Sequence, residues 1–243
     1  MHDKKVALVT GANKGIGFEV CRQLGGHGFT VVLAGRDQAK VADAAARLRG
    51  EGRDAQSVVL DVTDPSSAET AARWVDERFG RLDVLVNNAG VFPEFATGAR
   101  PSQLTRETLR ATYDTNVFGV FAVTQHMLPL PRKSASPRIV NQSSTLGSLS
   151  TLSDPRSPPY GNNWLAYNSS KAALNGLTLA FAKELAGDRI AVNSACPGWV
   201  KTDMGTDAAP RTVEQGAVIA VKLATMDDPP TGKFLDDAGE IPW

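Results

Sequence analysis

Short apolar runs alternate with longer helical patterns along the chain. The runs are rich in Val, Ile and Leu and apolar on both faces, which is typical of buried parallel strands covered by helices on each side. They predict strands at Val6–Thr10, Thr30–Ala34, Ser57–Leu60, Val84–Asn87, Arg138–Asn141, Ile190–Ser194 and Lys233–Leu235. Helices are predicted between them near residues 15–26, 38–49, 66–79, 103–128, 164–186 and 212–225.

This order of elements predicts the fold class. Strand–helix alternation implies right-handed crossovers, and therefore an α/β, doubly wound (Rossmann) parallel sheet of about seven strands with helices on both faces. The Pro- and Ser-rich stretch from Ser153 to Tyr160 is interpreted as an irregular loop inside the domain. Because no repeat, charge block or linker divides the chain, we expect a single domain.

Composition excludes several classes of function. The 26 basic and 26 acidic residues balance, so no net field favours nucleic acid or an anionic membrane surface. The start MHDKKVALVTG lacks the features of a secretory signal, and the most apolar helical stretch, Val117 to Val123, is too short to span a membrane. Cys21 and Cys196 form no CxxC pattern, which argues against a disulfide framework or a metal site and suits packed thiols in a reducing cytoplasm.

A glycine-rich turn follows the first predicted strand and opens the first predicted helix. Its glycines allow the helix to start close to a bound pyrophosphate, whose charge the helix N-terminus would stabilise. The turn predicts a dinucleotide site, although a plain strand-to-helix turn is the alternative. The candidate contacts are Gly11, Asn13, Lys14, Gly15, Ile16 and Gly17.

Tyr167 and Lys171 stand four residues apart, on one face of a predicted helix. An isolated tyrosine, with a pKa of about 10, is poorly matched to proton transfer near neutral pH. A nearby ammonium typically shifts such a pKa by about 1–3 units toward the charged form, so we expect Lys171 to lower the pKa of Tyr167. Such a pair also arises by chance, so its spacing alone is weak evidence.

The glycine turn has the spacing TGxxxGIG, and further motifs follow it in a recognisable order. The chain resembles the short-chain dehydrogenase/reductase family in this turn, in Asn87-Asn88-Ala89-Gly90, in the Tyr167–Lys171 pair and in Pro197-Gly198-Trp199-Val200-Lys201-Thr202. The resemblance covers almost the whole length. It implies one dinucleotide-binding catalytic domain over residues 1–243.

The resemblance also implies roles for individual residues. Asn116 would hold a relay water, and Ser144 would hydrogen-bond the substrate oxygen beside Tyr167 and Lys171. Ser143 is the alternative to Ser144, and Asn116 can instead satisfy a local helix distortion. The further implied cofactor contacts are Asp61, Val62, Asn88, Ala89, Gly90, Tyr167, Lys171, Pro197, Gly198, Val200 and Thr202.

The expected cofactor is NADPH/NADP+. An NAD enzyme usually carries an acid about 20 residues past the glycine turn, where it binds the ribose 2′-hydroxyl. Here Gly35 and then Arg36 occupy that place, and Lys14 can reach it, so two cations suit a 2′-phosphate. Asp37 is one position too late and is expected to begin the next helix. Solvated surface charges are the alternative for Lys14 and Arg36.

The implied activity is reduction of a ketone, aldehyde or quinone to the alcohol by hydride transfer from NADPH, with Tyr167 as general acid. The glycine turn, the run Cys196–Met204 and the terminal Trp243 make the chain most similar to the NADPH-dependent carbonyl reductases. Those enzymes carry a long insertion between serine and tyrosine that keeps them monomeric, whereas only 23 positions separate Ser144 and Tyr167. Monomer and homodimer therefore both stay open.

An apolar substrate mouth is expected where the carboxyl ends of the strands converge. Its candidate walls, any of which can instead be core residues, are Phe92, Phe95, Leu146, Trp164, Trp199 and Met204. They suit a small apolar carbonyl substrate. One rival activity is a 3-oxoacyl-thioester reductase of lipid or polyketide synthesis, against which the segment Thr151–Asn163 counts. The other is a non-catalytic cofactor-sensing regulator, in which the tyrosine or lysine is typically lost.

Overall fold

The computed structural model describes residues 4–243, so the first three residues of the predicted non-secretory start lie outside the described part. Seven parallel strands form one sheet in the order β3-β2-β1-β4-β5-β6-β7. The strands are β1 (Val6–Thr10), β2 (Thr30–Gly35), β3 (Ala55–Val59), β4 (Val84–Asn87), β5 (Arg138–Gln142), β6 (Ala191–Ala195) and β7 (Phe234–Leu235). The predicted single-domain, doubly wound α/β fold is confirmed.

Nine α-helices occur within residues 4–243. They are α1 (Gly15–Gly26), α2 (Gln38–Gly50), α3 (Pro65–Phe79), α4 (Pro93–Thr97), α5 (Arg106–Tyr113), α6 (Val120–Met127), α7 (Leu149–Ser153), α8 (Leu165–Glu184) and α9 (Val213–Thr225). Asp64 caps α3 by accepting from the Ser66 amide, and Pro65 follows in the first turn. In this part of the chain no helix is long and apolar enough to cross a membrane.

The core lies on both faces of the sheet, because the strands alternate buried side chains between two helical layers. Ala7 and Val9 of β1 pack with α1, α2 and α9, whereas Val6 and Leu8 pack with α3, α6 and α8. All four side chains are fully buried. Each full burial of a Val or Leu side chain contributes roughly 1.5–3 kcal/mol relative to exposure. This two-sided burial explains why the strands are continuous apolar runs in the sequence.

The prediction of one helix over residues 103–128 is wrong. The segment consists of α5, a π-helical stretch at Asp114–Gly119, and α6. Inside the π-helical stretch the Asn116 side chain is fully buried and bonds to the backbone of Val91. A Cβ on Gly119 would lie 2.8 Å from the Val62 carbonyl oxygen, so the stretch also packs closely on the loop after β3. These tertiary contacts, invisible to local periodicity, favour the wider turn.

Smaller differences concern boundaries and short helical turns. The third strand begins at Ala55 and ends at Val59, not at Ser57 and Leu60, and β6 runs one residue later than predicted. The stretch expected to be an irregular loop is bounded by α7 and contains a 3₁₀ turn at Pro158–Gly161, whose two prolines suit a first turn. Helix α4 is likewise absent from the prediction, because five residues are too short for a helical period to show.

The strand order reverses between β1 and β4, which are neighbours in the sheet. In doubly wound sheets, ligands bind at the carboxyl ends of the strands beside this reversal. The glycine turn follows β1, Asn88 follows β4, Ser143 follows β5, and Pro197 follows β6 after Cys196. The topology therefore brings the predicted motifs to one edge of the sheet.

Candidate active site

The glycine turn leaves the N-terminus of α1 open. Its N-cap residue, Lys14, makes no side-chain cap, so no side chain takes up the first amides of the helix. Gly11 and Gly15 have φ values of +65° and +59°, in the region that favours glycine. A Cβ on Gly17 would lie 2.4 Å from the Asn88 Nδ2 atom. The turn therefore forms a cradle with an uncapped helix N-terminus, and it packs so closely on Asn88 that Gly17 has no room for a side chain. An open helix N-terminus of this kind fits a dinucleotide pyrophosphate.

The charged residues beside the cradle are exposed. Lys14 forms an ion pair with Asp203, and both side chains are mostly exposed. Asp37 is the N-cap of α2 and accepts a hydrogen bond from the Lys40 amide at 3.1 Å, as expected for a residue that begins the helix. Arg36 directly precedes it and is exposed. Arg36 thus directly follows β2, and the neighbouring Asp37 carboxylate caps α2.

The segment after β4 is fixed to β1. The Thr10 hydroxyl accepts hydrogen bonds from the Asn88 and Ala89 amides, both at 3.0 Å, and the Asn88 side chain donates to the Thr10 carbonyl at 2.8 Å. A Cβ on Gly90 would lie 3.4 Å from Asn116 Oδ1 and 3.7 Å from Lys171 Nζ. Residues 88–90 therefore connect the glycine cradle to the region of Asn116 and Lys171.

Asn116 fixes the chain that continues from this segment. Its Oδ1 atom accepts from the Val91 amide at 2.8 Å, and its Nδ2 atom donates to the Val91 carbonyl at 3.0 Å and to the Ser170 hydroxyl at 3.1 Å. Asn116 thus ties the stretch after β4 to α8. In this structure its amide has a structural role, consistent with the distortion alternative, while the relay role stays a prediction.

The two serines after β5 have different surroundings. The Ser143 hydroxyl is buried and donates to Asn175 Oδ1 on α8 at 2.7 Å. The Ser144 side chain interacts with the Tyr167 phenol, whose pKa it lowers, and also accepts a hydrogen bond from the Leu146 amide at 3.2 Å. Of the two candidates, the structure therefore brings Ser144, not Ser143, to Tyr167.

Tyr167 lies in the first turn of α8 and is only 8% exposed. Burial and the neighbouring Cys196 raise the pKa of Tyr167 above its ordinary value, and the hydrogen bond with Ser144 lowers it by less. The direction is thus opposite to the predicted lowering by Lys171. Burial is the main cause, and Lys171 does not offset it, since its Nζ atom donates to the Gln142 carbonyl at 2.7 Å and lies 5.6 Å from the centre of the Tyr167 ring.

Lys171 is itself buried, at 5% exposure. Burial lowers its pKa from 10.5 to about 8, because an ammonium loses hydration in the interior. A Cβ on Gly147 would lie 2.7 Å from the Lys171 backbone carbonyl carbon, so the turn after Ser144 packs directly on α8 at this residue. Gly147 is a site residue that was not predicted from the sequence, since nothing local to it indicates that contact.

Three of the predicted substrate-wall residues join Tyr167 in one aromatic cluster. Phe92 stacks on Tyr167 with ring centres 4.1 Å apart. Phe92, Phe95 and Trp164 contact one another with ring centres 5.3–5.6 Å apart. Leu146 lies half-buried on the turn beside Ser144. The tyrosine is thus framed by apolar side chains, as an apolar substrate mouth requires.

The segment after β6 lies beside the glycine turn. A Cβ on Gly15 would be 3.5 Å from the Thr202 methyl group, and Val200 is buried against Gly216 of α9. Cys196 Sγ accepts a hydrogen bond from the Thr145 amide at 3.3 Å, which links the end of β6 to the turn after Ser144. Trp199 and Met204 are exposed and lie outside the aromatic cluster, and the Trp199 indole donates to the Gly205 carbonyl.

The remaining predicted contacts occupy their expected loops. Asp61 accepts from the Thr63 amide at 2.9 Å, and Val62 packs on Gly119. Pro197 and Gly198 follow β6 directly after Cys196, and Gly198 has a φ of +75°. Between residues 4 and 243 no group of three or more His, Cys, Asp or Glu side chains could hold a metal ion.

Glu94 is the second site residue that was not predicted from the sequence. It is 1% exposed, and its Oε2 atom accepts a hydrogen bond from the Tyr167 backbone amide at 2.9 Å. The neighbouring Ala166 amide also favours the charged form of this carboxylate. Because 73 positions separate Glu94 from Tyr167, no local pattern could have revealed the contact.

Comparison with known proteins gives concordant matches. A family model described as short chain dehydrogenase matches residues 5–212. A short-chain dehydrogenase of Penicillium roqueforti is 36% identical, over 98% of this chain and 96% of that protein. The crystal structure of NADPH-bound carbonyl reductase from chicken fatty liver matches with a TM-score of 0.87 and 30% identity, covering 99% of both chains. A point variant of actinorhodin polyketide ketoreductase with NADPH matches with a TM-score of 0.83 and 30% identity, over 98% of this chain and 97% of that one.

Proposed function

This chain belongs to the short-chain dehydrogenase/reductase family, and from that membership we propose that it reduces a carbonyl group to an alcohol with NADPH. The proposed substrate is a small apolar ketone, aldehyde or quinone. One observation carries the proposal. The phenol of Tyr167, partnered by Ser144 and framed by aromatic rings, lies near Lys171 at the sheet edge that also carries the open glycine cradle.

The residues around the cradle fit a dinucleotide. We propose that the first amides of α1 hold the pyrophosphate and that residues 61–62, 88–90 and 197–202 line the rest of the cofactor. Arg36 and Lys14 would hold the 2′-phosphate, because Asp37 is engaged as the α2 cap and does not supply the acid of an NAD enzyme. The similarity to the NADPH-bound carbonyl reductase supports this preference.

When bound, the cofactor supplies a hydride. We propose that Ser144 orients the substrate oxygen through its hydroxyl and that Tyr167 donates its phenolic proton to that oxygen as negative charge develops there. The raised pKa of the buried phenol keeps it protonated, and therefore able to donate, near neutral pH.

Lys171 and Asn116 serve the return of the proton in this proposal. Lys171, with a pKa lowered to about 8, is mostly charged at neutral pH. By turning from the Gln142 carbonyl toward Tyr167, its ammonium would stabilise the phenolate left by the reaction. Asn116 is the proposed relay residue. Its Oδ1 atom and the Lys171 Nζ atom both lie within 4 Å of the position that a Cβ on Gly90 would take.

The test is a substrate panel with NADPH consumption, followed by absorbance, as readout. We expect turnover with a quinone and an aromatic diketone. The ratio kcat/KM should be at least about tenfold higher with NADPH than with NADH, which corresponds to about 1.4 kcal/mol. A preference for NADH would contradict the cofactor assignment. Absence of NADPH consumption with every carbonyl in the panel would contradict the activity.

A second candidate activity is reduction of a 3-oxoacyl thioester, which the similarity to the polyketide ketoreductase favours. The chemistry at Tyr167 would be the same, so only the substrate mouth distinguishes the two. Comparing kcat/KM for an acetoacetyl thioester and for a quinone decides between them, and we expect the quinone to be the better substrate.

We also propose a reducing compartment, the cytoplasm, because Cys21 and Cys196 are both free and buried.

A further inference from the structure

Glu94 is a buried carboxylate that the proposed reaction does not use. It lies in the first turn of α4, a short helix that ends at Gly98 in the left-handed conformation. The Gly98 amide and the Thr97 hydroxyl donate to the Glu94 carbonyl, both at 3.0 Å, so the backbone at Glu94 is held in place. The side chain then leaves α4 and ends at the start of α8.

The start of α8 has no cap of its own. Its N-cap residue, Trp164, makes no side-chain cap hydrogen bond, although the first amides of a helix lack partners within the helix. Glu94 accepts a hydrogen bond from the amide of Tyr167, the third residue of α8, and the amide of Ala166, the second residue, also favours its charged form. These are the amides that a capping side chain normally satisfies. Glu94 thus caps α8 from a distant segment, and its charge lies at the positive end of a 20-residue helix.

Burying the Glu94 carboxylate is energetically unfavourable. The Glu94 Oε1 atom is buried and has no hydrogen-bond partner among the described residues. Burial raises the pKa of Glu94, and the amides of Tyr167 and Ala166 oppose the rise. An incompletely satisfied buried carboxylate is unfavourable unless its remaining interactions are strong. Here the hydrogen bond that the carboxylate does form is to the backbone amide of Tyr167, the residue that carries the phenol.

We propose that Glu94 is a positioning residue for Tyr167. The stretch after β4 contacts Tyr167 twice, through the stacked ring of Phe92 and through the carboxylate of Glu94 on the backbone amide. Asn116 holds the same stretch at Val91, next to the predicted cofactor contacts 88–90. Glu94 therefore sets the position of the phenol relative to the part of the site that faces the cofactor. The inference rests on the proposed function, since it acts through Tyr167.

The experiment compares Glu94→Ala, Glu94→Gln and Glu94→Asp, with kcat, KM, the NADP+ dissociation constant and the thermal midpoint measured for each. Glu94→Ala should lower kcat by about 10- to 100-fold with little change in NADP+ binding, because a shift of about 1 Å in a reacting group can cost about 10²-fold. Glu94→Gln keeps the length and an acceptor oxygen, so it should restore most of kcat. Glu94→Asp keeps the charge but is one methylene too short, and should restore less.

Thr105→Ala is the matched control. Thr105 caps α5 by accepting from the Thr108 amide at 3.2 Å and lies outside the proposed site. The Thr105→Ala variant should lower the thermal midpoint by an amount comparable to that of Glu94→Ala, because each loses a helix cap, but its kcat should be unchanged. If Glu94→Ala does not fold, the Gln and Asp variants decide. Wild-type kcat in every folded Glu94 variant overturns the positioning role alone, whereas a wild type inactive toward all carbonyls overturns the proposed function as well.

Discussion

The two ends of the site are built differently. At the glycine turn, the structure offers backbone amides and exposed charges: Lys14 and Asp203 form a pair whose side chains are 66% and 78% exposed. At Tyr167, it offers buried side chains: Tyr167 and Lys171 are 8% and 5% exposed. Charges in water contribute little each, whereas buried polar groups interact strongly and are costly to misplace. Changes at the buried end should therefore have the larger effects.

The largest effect is expected at the phenol. Tyr167→Phe removes one hydroxyl and keeps the ring that stacks on Phe92. Loss of a general acid typically costs about 10²–10⁴-fold, so kcat should fall by that amount, while the NADP+ dissociation constant stays unchanged. Tyr113→Phe, away from the aromatic cluster, is the control and should keep wild-type kcat. Retention of most activity in Tyr167→Phe would refute the role of Tyr167.

Lys171 should impose a pH dependence on stability. Its pKa is lowered from 10.5 to about 8 in the folded protein, so between these values the unfolded chain binds more protons. The contribution of Lys171 to stability should therefore rise as the pH increases from about 8 to 10.5, by on the order of 3 kcal/mol at about 1.4 kcal/mol per pKa unit. The buried thiols of Cys21 and Cys196, whose pKa values are raised, act in the opposite direction, so the Lys171 contribution is read from the difference between wild type and Lys171→Met. Urea unfolding at several pH values measures this contribution.

Lys171→Met should lack that rise, and Lys183→Met, an exposed change on the same helix, should keep it. Below pH 8 the wild type bears the full cost of the buried ammonium, so the stability difference between wild type and Lys171→Met should favour the variant most there. A parallel pH dependence in wild type and Lys171→Met would show that burial does not perturb this ammonium.

At the exposed end, Arg36→Ala should have a moderate effect. If Arg36 binds the 2′-phosphate, its loss should raise KM for NADPH by about tenfold, since a charge-assisted contact contributes about 1.5 kcal/mol. KM for NADH should not change, because NADH lacks that phosphate. Equal changes in KM for NADPH and NADH would mean that Arg36 does not bind the 2′-phosphate.

The smallest effect is expected at Asp203. The ion pair with Lys14 lowers the pKa of Asp203. It also engages the Lys14 ammonium, which is proposed to bind the 2′-phosphate. Asp203→Asn should therefore strengthen NADPH binding, by at most about fivefold, because exposed pairs contribute about 0.2–1 kcal/mol. The gain should shrink as salt is added. Weaker binding by the variant would contradict competition between Asp203 and the cofactor.

The same contrast explains what could be predicted from the sequence. The glycine turn, the strands and the Asp37 cap are local features, so spacing and periodicity located the turn and the cap, and placed the strands to within two residues. The π-helical stretch around Asn116 and the packing of Gly147 on Lys171 depend on contacts between distant segments. The pKa of Tyr167 was predicted in the wrong direction, because helical spacing placed Lys171 nearby but could reveal neither the burial of the phenol nor the Gln142 carbonyl that holds the Lys171 ammonium.

The central claim is that the Tyr167 phenol stands beside the cofactor with Ser144 and Lys171. A crystal structure of the NADP+ complex tests it most directly. We expect the Tyr167 Oη atom to face the nicotinamide ring, with Ser144 as its partner and Lys171 Nζ moved from the Gln142 carbonyl toward the phenol. A Tyr167 hydroxyl that stays covered by Phe92 and turned from the bound ring would contradict it.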